Sequence, residues 1–349
     1  MLAQNIWLWA QVGALAFFAS LAASGFMCIA GLGDASDGRS AHSGVVPTSG
    51  GLGIITSFGL ALCGVALLFP SLKLGIGFAP VMALLFAVGF LGLVDDAMTL
   101  GPKLKFGVML VICGAAVWSI GPPVTLPFLD RPIPLHPAIG FGGAVLWIFV
   151  VMNAVNFMDG ANGLMGLTMT IANFALFGVG LISGSPTTLL LSALALMALL
   201  GFLPYNLRQE ARVFSGDVGS LSIGFLFAVT ILFLIAETPG RTFHLVGPIL
   251  ILPLLVDVLL TLVRRVRKRE NILQAHNTHL YQRLIRSGRG HLAVSGFYAL
   301  AALICANIVV IGAAKSWFDR IHVPLMLLGA SVTAYILISR GLDSRRPNH

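Results

Sequence analysis

Two adjacent carboxylates, Asp95 and Asp96, close a long apolar run and are followed at once by Lys103 and Lys105. Side-by-side acids repel each other, so they call for a compensating cation or for chemical work. Two further motifs carry acids and amides: NAVNFMDGANGL at 153–164 and FSGDVGSL at 214–221. In the first, Asn153, Asn156 and Asp159 recur every third residue, so neighbouring members share part of a helical face. Three unsatisfied polar groups there would cost desolvation energy. In the second, Asp217 follows a glycine, by itself an ordinary loop-to-helix start. Taken jointly, these carboxyl and amide oxygens make a donor set for a hard cation. Mg2+ fits well, since it prefers few carboxylates, retained water and substrate phosphates.

A fourth motif is basic. RRVRKRENILQAHNTHLYQRL (264–284) holds Arg265, His276, His279 and Arg283. If this segment is helical, His276, His279 and Arg283 share one face, an arrangement suited to gripping phosphate or a nucleotide. Zinc is a poor fit, because no cysteine lies nearby to supply a further ligand. Each motif also has a plain reading. One acid of the Asp-Asp pair can cap a helix, Asp-Gly and Asn-Gly are turn dipeptides, and Arg267, Lys268, Arg269 and Glu270 suit a solvated basic loop.

The elements that must position these residues are membrane helices. The chain has 349 residues, 57% hydrophobic and only 10% charged, with a mean hydropathy of +0.95. Its apolar residues fall in runs of bilayer-crossing length without the alternation of barrel strands, which predicts an all-α polytopic protein. Eleven spans are expected, near 7–31, 50–70, 75–94, 104–120, 138–156, 161–182, 187–205, 217–236, 244–263, 292–312 and 320–338. The first is kept as a span because MLAQN lacks a basic leader region and the apolar run exceeds that of an ordinary signal peptide. Of the 21 basic residues, 16 fall on one side of this topology, so the N-terminus is expected outside and the C-terminus in the cytoplasm. The net charge of +8 then reflects topology and attraction to anionic membrane lipid; nucleic-acid binding is not expected. Cys28, Cys63, Cys113 and Cys305 lie scattered within spans and read as small core hydrophobes.

On this topology the reactive motifs all face the cytoplasm, in loops near 32–49, 95–103, 153–162, 206–217 and 264–291 of a single transmembrane domain. The first of these loops adds Asp34, Asp37, Arg39 and His42. Ionisable groups at membrane depth are costly and mark function. A transporter would place them at the midplane on broken helices, often in repeated halves. Their gathering at one interface instead suits an enzyme taking one substrate from the cytoplasm and another from the bilayer. A lipid-phosphate or nucleotide-sugar transporter is the competing class.

Five blocks, DASDGRSAHSGVVPTSGGLG, GLVDDAMTL, NAVNFMDGANGL, GDVGSLSIG and the stretch from LPLLVDVLL to HLYQRL, span residues 34–284. Their order and spacing resemble those of the polyprenyl-phosphate N-acetylhexosamine-1-phosphate transferases. AHNTHLYQRL is similar to the branch initiating O-antigen and related surface glycans; the peptidoglycan branch, which carries adjacent histidines here, is the alternative. The resemblance implies transfer of an N-acetylhexosamine 1-phosphate from a UDP-N-acetylhexosamine to undecaprenyl phosphate at the bacterial inner membrane. The products are UMP and the lipid diphospho-sugar. It also implies Mg2+, with Mn2+ as a substitute. On this resemblance Asp217 and Asn156 are metal ligands and Asp159 supports them. Asp96, with Asp95, accepts a proton from the lipid phosphate, a covalent aspartyl route being the open alternative. Lys103 and Lys105 are expected to meet phosphate. Asn153, His42, Arg265, His276, His279 and Arg283 are placed on the substrate side. Asp257, inside the ninth span, is either a paired acid or a functional one. Oligomeric state stays open, a homodimer among the options.

Overall fold

The computed structural model describes residues 6–30, 47–128, 131–271, 274, 276–315 and 322–344. Asp34, Asp37, Arg39 and His42 therefore lie outside the described residues. The rest is a helical bundle. Among the described residues, ten helices are long and apolar enough to cross a membrane: α1 (Ile6–Ala30), α2 (Gly50–Leu68), α3 (Phe78–Met98), α4 (Pro102–Ile120), α5 (Pro137–Phe157), α6 (Leu164–Ser183), α7 (Pro186–Asn206), α8 (Gly216–Glu237), α12 (His291–Lys315) and α13 (His322–Asp343). Between α4 and α5 the chain forms a small antiparallel hairpin, β1 (Thr125–Phe128) with β2 (Arg131–Pro134), Leu126 facing Ile133.

The expected ninth span is broken. A 3-10 turn at Phe243–Leu245 leads into α9 (Val246–Leu250), which meets α10 (Leu252–Arg267) at 71°. Pro253 explains the break: it has no N–H to offer the helix preceding it, and its ring would crowd the carbonyl four residues back. α10 therefore departs from the line of α9 and ends in a basic turn, Arg264, Arg265 and Arg267. The short helix α11 (Leu280–Arg286) follows the basic loop.

α8 is the axis of the bundle. Every residue from Val218 to Leu234 is buried, against α3 and α5 on two sides and α2 and α7 on others. A span this apolar and this enclosed has all its neighbours in protein, so polar residues at its ends are held by protein too. At the far end, Glu237 accepts hydrogen bonds from the Ser185 and Thr187 hydroxyls and, at 3.2 Å, from Thr187 N at the start of α7. At the near end lies Asp217. Within the bundle Trp147 Nε1 donates to the Ala228 carbonyl at 3.1 Å, satisfying an indole that has no water to turn to.

Two glycines permit the close fit at the near end. Gly216 adopts φ +61, and a Cβ there would strike the Thr48 carbonyl and an Asp96 carboxyl oxygen. A Cβ on Gly92 would lie 2.6 Å from the backbone of Asp217 and Val218, so α3 and α8 touch backbone to backbone here. Cys113 and Cys305 are buried, as expected, but Cys63 is exposed on the outer surface of α2 and is no part of the core.

Candidate active site

Asp95 and Asp96 end α3 and do different things. Asp95 Oδ1 accepts Leu100 N at 2.7 Å, holding the tight turn in which Thr99 takes a left-handed φ of 50°. Its Oδ2 pairs with Lys105 Nζ at 2.7 Å. Lys105, one turn into α4 and buried, makes its second ion pair with Asp217 Oδ2. Asp96 reaches across to α8, where Asp217 N donates to both its oxygens at 3.1 Å and Val218 N donates at 3.4 Å. A carboxylate at the start of a helix answers both its free N–H groups and its dipole. The repulsion between the two acids is thus relieved by a lysine on one side and a helix N-terminus on the other. Lys105 is buried and paired with two carboxyl groups, whereas Lys103 is exposed.

The NAVNFMDGANGL block meets the same point from α5. Asn156 Nδ2 donates to Asp217 Oδ1 at 2.7 Å and to Ser220 Oγ at 2.9 Å. A ligand role for Asn156 would use its other amide atom, Oδ1. Asp159, just past the helix end, accepts the Ser215 hydroxyl at 2.6 Å through Oδ2, while its Oδ1 is shielded from solvent and has no hydrogen-bond partner. Asn153 bonds back to the Phe149 carbonyl of its own helix at 2.8 Å, so the every-third-residue pattern does not carry it into the cluster by any such contact. Asn162 closes the loop, its amide bridging the carbonyls of Arg208 and Gln209 at 2.9 and 2.8 Å.

Burial pushes the Asp159 carboxyl up to about 8 against the Ser215 hydrogen bond, and the charges of Asp217 and Asp96 push the same way. The folded protein then holds a proton there that the unfolded chain, with an ordinary value of 3.8, has already lost. The penalty is absent below about pH 4, grows as pH rises, and is complete above about 8. Asp159→Asn is therefore expected to raise the melting temperature by several degrees at pH 8 and hardly at all at pH 4. Thermal unfolding in detergent at both values checks this.

The basic motif is ordered differently from a continuous helix. Residues 276–278 are not helical, and α11 begins only after His279, where Asp257 Oδ1 and Oδ2 accept Leu280 N and Tyr281 N at 2.7 and 3.1 Å. His276 and His279 still lie together, ring centres 4.8 Å apart, and His279 stacks near Phe157 at the end of α5. Burial lowers the His276 imidazole to about 4, helped by the charges of His279 and Arg265, so it is neutral at pH 7. Arg283 does not join this face. Its guanidinium turns to α13, donating to Ser339 Oγ at 2.5 Å and to Asp343 Oδ1 at 2.8 Å. Arg265 braces the 270–271 turn, with Glu270 Oε2 at 2.8 Å and the Asn271 carbonyl at 2.7 Å.

The structure thus brings together Asp95, Asp96, Lys105, Asn156, Asp159 and Asp217. Sequence reasoning passed over Ser215 and Ser220, which hold Asp159 and Asn156. Their signal was only adjacency to Asp217. It also passed over Tyr281, whose hydroxyl donates to the Phe157 carbonyl at 3.1 Å and so joins the basic segment to α5. As a cation site the cluster has hard oxygen donors and one orphaned buried carboxyl oxygen, Asp159 Oδ1, which suits a metal taking few protein ligands. Among the described residues no three His, Cys, Asp or Glu side chains converge closely enough to hold a metal alone.

The family described as glycosyl transferase family 4 matches residues 78–235, the stretch that supplies all six clustered side chains. A probable undecaprenyl-phosphate N-acetylglucosaminyl 1-phosphate transferase of Bacillus subtilis is 27% identical over 87% of this chain and 84% of its own length. A decaprenyl-phosphate N-acetylglucosaminephosphotransferase of Mycobacterium tuberculosis is 29% identical over 89% of this chain and 83% of its own. An undecaprenyl-phosphate alpha-N-acetylglucosaminyl 1-phosphate transferase of Escherichia coli is 27% identical over 80% and 76%.

Proposed function

We propose that this chain, which belongs to the polyprenyl-phosphate hexosamine-1-phosphate transferase family, transfers N-acetylhexosamine 1-phosphate from a UDP-sugar to undecaprenyl phosphate. The observation that carries this is the convergence of four carboxyl groups and Lys105 at the start of α8, a helix buried over its central length. A phosphate oxygen of the lipid attacks the β-phosphorus of the UDP-sugar; the bond from that phosphorus to the bridging oxygen breaks, and UMP leaves. Both reactants are anions, so accumulated charge is the main barrier.

Asp217, Asp159 and Asn156 would hold Mg2+, which supplies countercharge to the phosphates when bound. Lys105 pairs with both Asp95 and Asp217 and so holds the two carboxyl groups together, preorganised. Asp96 holds the start of α8 through two backbone amides and is assigned the lipid phosphate's proton. His276 and His279 receive the nucleotide sugar: a neutral His276 serves by hydrogen bonding, the phosphate charge being met elsewhere. The basic residues gathered near this end of the bundle support placing it on the cytoplasmic face. N-acetylglucosamine is the first sugar to test, because the names of the relatives carry it, and initiation of a lipid-linked surface glycan is the role that fits.

Purified protein with undecaprenyl phosphate and Mg2+ should release UMP from UDP-N-acetylglucosamine or another UDP-N-acetylhexosamine in a panel. EDTA should stop release, and Mg2+ or Mn2+ should restore it. Absence of UMP with every donor, together with uptake of UDP-sugar into proteoliposomes, would replace the enzyme with a transporter.

A further inference from the structure

α13 runs along the outside of the bundle, and most of its side chains are exposed, as lipid-facing residues are. Among its described residues only Tyr335 and Ser339 are buried, and both are polar. Asp343 follows four residues on, so the three form one stripe along the helix. A helix that merely anchors a chain would turn an apolar stripe inward. Polar groups buried at a lipid-facing helix are expensive unless matched.

Ser339 and Asp343 are matched by the segment that carries the histidines, and Tyr335 by α10, which leads into it. Ser339 receives Arg283 through its hydroxyl at 2.5 Å and its carbonyl at 3.0 Å, and Asp343 Oδ1 takes the same guanidinium at 2.8 Å. The Tyr335 hydroxyl meets Thr261 Oγ1 at 3.1 Å, and Thr261 Oγ1 lies 3.2 Å from Asp257 Oδ1. A threonine has a single hydroxyl hydrogen, which the carboxylate takes, so Tyr335 is the donor to Thr261. Asp257, only 1% exposed, also receives the Tyr298 hydroxyl at 2.6 Å and the first amides of α11. α13 therefore grips the basic loop at both ends: at α10 through Tyr335 and at α11 through Ser339 and Asp343.

We propose that α13 is a positioning element for the nucleotide-sugar segment: its Tyr335–Ser339–Asp343 stripe fixes residues 276–286, and with them His276 and His279, without itself reaching the carboxylate cluster. This rests on the reading that the histidine segment receives the donor. Tyr335→Phe removes one oxygen and leaves the packing, and Asp343 is half-exposed at its side chain, so neither change threatens the fold. In the full-length Tyr335→Phe/Asp343→Asn protein, backbone amides of 280–286 are expected to exchange with deuterium about tenfold faster. Amides at the start of α8 should be unaffected. The KM for UDP-sugar should rise about tenfold while that for undecaprenyl phosphate stays put, and Tyr335→Phe with Asp343→Glu should recover part of the loss. Unchanged exchange at 280–286 overturns the grip of α13 whatever the activity. Faster exchange with an unchanged donor KM overturns its service to the donor. A wild type releasing no UMP from any donor would defeat the proposed reaction, and the exchange result would still decide whether α13 holds the segment.

Discussion

Asp217→Asn is expected to cut turnover by about 10³-fold or more while the protein still inserts and purifies as a monodisperse species. Asp217 is where the site's contacts meet: Lys105 pairs with one oxygen and Asn156 donates to the other. Asparagine keeps the shape and removes the charge. The loss falls on the developing phosphoryl charge and its metal, the interactions that preorganised electrostatics supply at roughly 10² to 10³-fold per group. Folding is spared because Asp96 holds α8 through backbone N–H groups, which the substitution leaves in place. UMP release beside gel filtration measures both. Turnover near wild type in a well-behaved protein would remove Asp217 from the chemistry.

Asp96→Asn is the second large effect, and its pH profile separates three roles. Asparagine caps a helix about as well as aspartate, so the two α8 amides remain satisfied and stability should scarcely change. As proton acceptor, Asp96 matters most where the lipid phosphate is a monoanion. Turnover should then fall about 10²-fold at low pH and recover in part well above about pH 6, where a phosphate monoester loses its second proton unaided. A covalent nucleophile would give no recovery, and the wild type would yield a trappable aspartyl phosphate. A pure cap would leave the profile flat and near wild type, which would end the catalytic role. The expectation is partial recovery.

Much of this was legible in the residues because it was local. The apolar runs located the helices, and the Asp-Asp pair with lysines close by located a charge cluster whose compensation by Lys105 lies ten residues away. The partner of Asp96 was hidden because it sits 121 residues on and is a backbone, which has no letter in the sequence. Arg283 lies off the histidine face for a physical reason. Helical spacing from His276 put it on the histidine face, but Asp257, buried in α10, caps the helix only at Leu280. Residues 276–278 lie outside helical periodicity, and Arg283 turns toward α13. The break near Ile251 was signalled by Pro253 but outweighed by the apolar run around it.

The enclosure of α8 has a consequence for how the protein lives in different membranes. A helix bordering lipid answers a thicker or thinner bilayer by tilting, at a modest cost for each ångström of mismatch. α8 has no such border over its central length and is tied at both ends, by Asp96 at the start and through Glu237 to α7 at the finish. Changes in acyl-chain length therefore fall on the outer helices, which can lean while the depth of Asp217 is held. The helix bearing the central acid behaves as a fixed post inside a compliant fence, setting the level at which a lipid headgroup and a soluble nucleotide must meet.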